Sequence, residues 1–152
     1  MGSRVLAMMV VVVTLVGCGK KKDPDVGFKG VKNDKFVETM NSVDLNADGN
    51  TSVNVKTAWA ALKGKEVKWE MEVVDVKGGR GGRFEIMGKK EGKPLYRGYN
   101  IVAVSFDPKS GALKKGEKVT IKGLFDNKRQ RKGQPLVIHV GSVEIIDAEK
   151  TK

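Results

Sequence analysis

Hydrophobic and polar positions along this chain follow three regimes. Residues 5–16 are apolar and uncharged behind a short start that holds Arg4; residues 33–63 repeat at helical spacing; from residue 65 the period becomes two. The first run is too short to span a membrane, which takes about 20 residues, and suits the apolar core of an export signal, roughly 7–15. In the second regime Phe36, Val37, Met40 and Val43 fall on one helical face, with Asn33 placed to cap it. Val55, Ala58, Trp59 and Leu62 repeat at i, i+3, i+4 and i+7, with Asn54 to start the helix and Gly64 to stop it. Trp59 on that face is expected in the core.

The third regime predicts five strands. Val67, Trp69, Met71 and Val73 alternate with Lys68, Glu70 and Glu72, and the phase slips at Val73-Val74, as at a β-bulge that bends a long strand. A glycine-rich turn over residues 77–83 leads to a second strand over 83–87. The third, over 99–106, is apolar on both faces at residues 101–104 and should be central. Residues 109–115 have room for one helical turn. Val119 and Ile121 face inward on the fourth strand, residues 127–134 read as a basic loop, and Leu136, Ile138 and Val140 mark the fifth strand. Gly141-Ser142 predicts a second bulge, and the polar tail from Asp147 is expected to fray.

Such a series predicts a mainly β protein: a small five-stranded barrel, OB-like, preceded by one or two short helices. Three stretches carry a resemblance: Gly64-Lys65-Glu66-Val67 entering strand one, Phe106-Asp107 closing strand three, and residues 113–123 (LKKGEKVTIKG) forming strand four. Over residues 59–146 the chain resembles the bacterial lipoprotein family called tRNA_anti-like. That resemblance implies an OB-fold, and the family's name carries no demonstrated tRNA binding. The short link between strands three and four departs from a typical OB-fold, which has a full helix there. The N-terminal helices are expected to cap the barrel instead.

The chain has 152 residues and a single cysteine, Cys18, at the end of the first apolar run. Leu15-Val16-Gly17-Cys18 resembles the lipobox of bacterial lipoprotein signals. The resemblance implies cleavage before Cys18 and a diacylglyceryl group on its thiol, an anchor firmer than one acyl chain provides. Gly19 stands where an aspartate would favour the inner membrane, which leans toward the periplasmic face of the outer membrane. The expected divisions are a signal over 1–17, a lipidated cysteine and tether over 18–32, a helical lead-in over 33–63, a barrel over 64–147 and a tail over 148–152. With its thiol lipidated, the chain forms no internal disulfide and needs no cofactor beyond that lipid.

Lysine and arginine number 29 against 18 acidic residues, a formal charge of +11. A basic surface favours anionic partners, and outside the cytoplasm nucleic acid is the least available of them. Lys20, Lys21 and Lys22 would lie beside acidic headgroups, where each contributes about 1 kcal/mol. In OB-folds the face of strands two and three and the loops after strands one and four bind ligands. Here those loops carry Arg80 and Arg83, and Lys128, Arg129, Arg131 and Lys132, expected on one rim with Phe84, Tyr96 and Tyr99 as stacking platforms. The plainer alternative, loops charged for solubility and aromatics in the core, weighs slightly more because the whole chain is basic.

Asp44, Asn46 and Asp48, followed by Gly49, match the first half of an EF-hand-like calcium loop, with Ser52 at the ninth position. Val55 stands where the bidentate carboxylate belongs, so a polar turn is the favoured reading. His139 is the only histidine, in mid-strand, with no nucleophile or metal-ligand spacing around it, which argues against an enzyme. The function expected is a non-enzymatic, membrane-anchored module that binds an anionic envelope component or protein. An oligonucleotide-binding domain is the alternative and a calcium-dependent loop the third.

Overall fold

The computed structural model describes residues 28–149. Leu15-Val16-Gly17-Cys18 and Lys20, Lys21 and Lys22, on which the expected signal, anchor and tether fall, lie outside them. A 3-10 turn at Asn33–Lys35 runs into α1 (Phe36–Ser42), and α2 (Ser52–Leu62) follows. Five strands complete the chain: β1 (Glu66–Gly78), β2 (Phe84–Lys89), β3 (Ile101–Ser105), β4 (Lys118–Arg129) and β5 (Val137–Glu149). They close into a barrel in the order β1-β2-β3-β5-β4, with β3 and β5 parallel and every other pair antiparallel. This is the OB-like barrel that the sequence predicts, with short helices ahead of it.

Alternation along β1 puts Val67, Trp69, Met71 and Val73 inside. The register with β2 shifts between Val73 and Asp75, so the phase slip at Val73-Val74 is a bulge. On β5, pairing with β4 jumps from Glu144 to Gly141 opposite Lys122 and Leu124, and Ser142 takes a φ of 52°. That is the second bulge. Between β3 and β4 there is only the 3-10 turn Pro108–Ala112, capped by the Asp107 carboxylate, which accepts from the Lys109 N–H at 3.0 Å.

The helical lead-in supplies what that short link lacks. Phe36, Met40 and Val43, each at most 1% exposed, belong to the barrel's own core cluster. Trp69 lies at its middle, edge-on to Phe36 at 5.0 Å and to Phe125 at 5.4 Å, while Trp59 meets Phe125 from α2 at 6.0 Å. Val37, expected on the same face, is 40% exposed. The α1 helix presents Phe36 and Met40 to the barrel, which turns Val37 sideways toward Gly92.

Two predicted caps are placed differently. Thr51 starts α2, its hydroxyl accepting from the Asn54 N–H at 3.2 Å while the Asn54 side chain accepts from the Thr51 N–H at 2.7 Å. Asn54 therefore completes a capping box three residues inside the helix. Asn33 caps no helix. Its side-chain oxygen accepts from the Glu70 N–H at 3.0 Å and from the Lys90 ammonium. Val31 forms a parallel bridge with Val67, donating to the Glu66 carbonyl at 2.8 Å and accepting from the Lys68 N–H at 3.0 Å. Pairing to β2 starts only at Glu72, so Val31 and Asn33 cover the edge of β1 that would otherwise offer free N–H and C=O groups.

Strand β4 runs to Arg129, beyond the predicted loop boundary, because Asn127, Lys128 and Arg129 pair with His139, Ile138 and Val137. The β5 backbone likewise stays paired through Glu149, where a frayed tail was expected. At the β4–β5 crossing a Cβ on Gly123 would lie 2.7 Å from the Gly141 carbonyl and from Val140 Cγ1, and 2.8 Å from Val143 Cγ2. Gly123→Ala is expected to cost about 1–3 kcal/mol in urea unfolding, the range for overpacking a filled site. An unchanged midpoint would mean that the two strands separate at no cost.

Candidate functional site

The β4–β5 connection, residues 130–136, is fastened at several points. Gln130, a neutral amide between Arg129 and Arg131, is its anchor. Its Nε2 donates to Asp44 Oδ1 at 2.7 Å and to the Gln134 carbonyl at 3.1 Å, and its Oε1 accepts from the Leu45 N–H at 2.9 Å. Asn46 adds two more contacts, donating to the Gln134 carbonyl at 2.8 Å and accepting from the Gly133 N–H at 3.2 Å. Four hydrogen bonds thus join this loop to the α1–α2 loop some 85 residues earlier.

Asp44 is the hub of that arrangement. It is 6% exposed, and besides Gln130 its carboxylate accepts from the Asn46 N–H at 2.8 Å and from the Lys93 ammonium at 2.7 Å. Lys93 also donates to Asn41 Oδ1 at 2.8 Å. Burial pushes the Asp44 carboxyl up, but the hydrogen bonds from Lys93, Gln130 and Asn46, with the Lys93 charge, outweigh it and hold the pKa below its ordinary value. The carboxylate considered as a calcium ligand already carries an ammonium, and Asn46 serves the brace. Val55, at the twelfth position, is in the core at 2% exposure. Among the described residues no group of three or more His, Cys, Asp or Glu is placed to hold a metal.

Arg131 and Lys132 stand exposed on this braced loop, and Arg129, at the end of β4, is exposed beside them with Lys128 half-buried. Tyr96 approaches from the β2–β3 connection and shares a shallow notch with Arg129, Arg131, Pro135 and Val137. The Arg97 guanidinium lies over the Tyr96 ring at 5.3 Å from its centre. Four cations, Arg97, Arg129, Arg131 and Lys132, thus gather at one end of the barrel.

The other predicted cations are elsewhere. The β1–β2 connection holds the turn Arg80–Gly82, where Gly81 and Gly82 take φ of 70° and 76°, values that side chains rarely adopt. Arg80 is exposed, and Arg83 pairs with Glu85 at 3.0 Å. Register separates this loop from the first. Phe84 at the start of β2 is opposite Ser105 at the end of β3, whereas β5 begins beside Ile101 at the start of β3. Four residue steps along β3 amount to about 13 Å. The single rim expected from sequence is therefore two basic ends flanking the β2–β3 face, since each loop is fixed by the direction of the strand it leaves.

The face between them offers little stacking surface. Phe84 shares the inward parity of Ile86 and packs toward Gly111. Tyr96 and Tyr99 are edge-on to each other at 6.0 Å and cover Met87, Val102 and Val137, a second apolar cluster on the outside of the barrel. Toward the other end Glu85 and Val104 stand opposite each other. His139 is half-buried, and burial lowers its pKa, with Glu85 and Asp126 opposing that shift and Arg129 adding to it.

The architecture is a small OB-like barrel with short helices ahead of it and a fastened cationic loop at one end. Comparison of the chain with known protein families finds no match, and none of the curated proteins matches it. Among the described residues no helix is long and apolar enough to cross a membrane.

Proposed function

We propose that this protein is a non-catalytic binding module of the bacterial envelope, lipid-anchored at Cys18, that holds an anionic envelope component or protein at the Arg129–Lys132 end of its barrel. The periplasmic face of the outer membrane is the favoured location. The observation that carries the binding part is the brace: the loop that bears Arg131 and Lys132 and continues from Arg129 is fastened by Gln130 and Asn46 to a buried carboxylate and its neighbours. A loop charged only for solubility gains nothing from being held still. A loop that meets a ligand gains, because preorganised donors lose less conformational freedom on binding. The lipobox-like Leu15-Val16-Gly17-Cys18 and the resemblance to tRNA_anti-like lipoproteins support the envelope part.

The oligonucleotide reading is less well supported, because Tyr96 and Tyr99 engage each other and Phe84 is half-buried against Gly111, which limits the stacking surface they offer. Retention of the full chain on envelope extract and on single-stranded nucleic acid, each at two salt concentrations, tests both. Retention of an envelope ligand at high salt, lost when Arg129, Arg131 and Lys132 become Ala and reduced in Gln130→Ala, is the expected result. Gln130→Ala leaves every charge in place, so its effect isolates preorganisation. Retention unchanged in the triple variant would remove the loop from the function. Steeply salt-dependent capture of every polyanion would reduce the charge to a generic one.

A further inference from the structure

A cleft of about 640 Å³ opens on the barrel wall, and no residue of the braced loop lines it. That volume is within the range of small-ligand sites, roughly 300–1,000 Å³. Its floor is the outer face of β1 where β1 has a partner on each side. Glu72 is opposite Lys118 of β4 and Lys89 of β2, and Glu70 is opposite Thr120 of β4. Residues 90–95 of the β2–β3 connection form the wall, with Lys90, Glu91, Lys93 and Leu95 on the lining.

The charges of this cleft are sorted along β1. At the level of Glu72 two lysines flank one carboxylate in register: Lys89 is 3.3 Å from it, and Lys118 forms no ion pair among the described residues. Among the described side chains that level carries one more positive charge than negative, and the β5 backbone brings Glu149 into register with Lys118. At the level of Glu70 the balance reverses. The Lys90 ammonium is turned to Asn33 and to the Glu70 carbonyl, at 3.0 Å from the latter, while the carboxylates of Glu70 and Glu91 form no ion pair among the described residues. Lys93, the other cation of the wall, is neutralised by Asp44.

Two residue steps along β1 separate the levels, about 7 Å. An extended dipeptide spans about the same length, at roughly 3.3–3.6 Å per residue. Leu95, 41% exposed on the wall, offers an apolar surface for a ligand side chain. We propose that this cleft binds a short peptide with free termini, its carboxylate over Lys118 and Lys89 and its ammonium over Glu70 and Glu91. The site stands apart from the anionic ligand of the braced loop.

Calorimetric titration of the full chain with L-alanyl-L-leucine, and with its N-acetylated and its C-amidated forms, tests the assignment. The free dipeptide is expected to bind, and each single block to weaken it about tenfold or more, the scale of one lost charge-assisted hydrogen bond. Glu70→Gln is expected to weaken the free peptide and leave the N-acetylated form unchanged; Lys118→Gln is expected to do the same for the carboxylate end and the amidated form. Absence of binding at millimolar dipeptide would overturn the proposal. So would equal binding of the blocked forms, or free-peptide affinity unchanged in both variants.

Discussion

Replacing Asp44 by Ala is expected to remove about 3–5 kcal/mol of folding stability in denaturant titration, the range for breaking a buried ion pair on one side. The loss comes from what stays behind. Lys93 keeps its charge in a site where its side chain is 11% exposed, and Gln130 and the Asn46 N–H lose their acceptor. A calcium loop would behave differently, since its stabilisation would vanish on chelation and Asp44→Ala would then change little. The expectation here is a loss of the same size with calcium or chelator present.

Acid should show the same group. Because Asp44 has a folded pKa below its ordinary 3.8, the unfolded chain takes up the proton first as pH falls. Its contribution is complete above the unfolded value and disappears as pH falls through the lowered folded value. The Asp44→Ala variant should therefore lose less stability than the native chain over that acid window. Parallel pH curves for the two proteins would contradict the role given to the carboxylate.

Trp69→Ala should be as damaging for a different reason. The side chain is fully buried, edge-on to Phe36 on one side and Phe125 on the other, with its indole N–H donating to the Lys32 carbonyl at 3.2 Å. Truncation removes the joint between α1 and the barrel wall as well as the apolar volume. Large aromatic truncations cost about 3–5 kcal/mol, against total stabilities of about 5–15 kcal/mol. A midpoint lowered by that amount, with the slope of the transition retained, is the expected result in urea. A loss below about 1 kcal/mol would mean that the helical lead-in is not part of the folding unit.

Much of the barrel was readable from local pattern. The slip at Val73-Val74 and the pair Gly141-Ser142 marked both bulges, because a change of phase in a period-two stretch has few other physical causes. The end of β4 was not readable in this way. Asn127, Lys128 and Arg129 carry no apolar alternation, and they are strand because β5 supplies their backbone partners. Asn54 reads as the start of α2 because it caps well alone, and only its reciprocal pair with Thr51 fixes the true start.

The candidate site was legible in composition and not in arrangement. Basic residues of the two loops were visible as such. Their separation depends on strand direction at β3, which residue type does not encode. The brace was hidden because Gln130 and Asp44 are distant in sequence. The available signal was Gln130 itself, one amide set among four cations in residues 128–132. The polar Asp44-to-Asn50 stretch was recognised as unusual. The side-chain oxygens of Asp44 and Asn46 face other parts of the chain.

Val31 and Asn33 have a mechanical consequence. The segment that precedes the helices runs parallel to β1 and is joined to it by both backbone bonds of Val31 and by the Asn33 side chain. Tension applied from the N-terminal side and directed along β1 would load these bonds together in shear, so that no single one is opened before the rest. The strand that receives this force is also the floor of the charged cleft, so a pull from the N-terminal side reaches that cleft through Glu70.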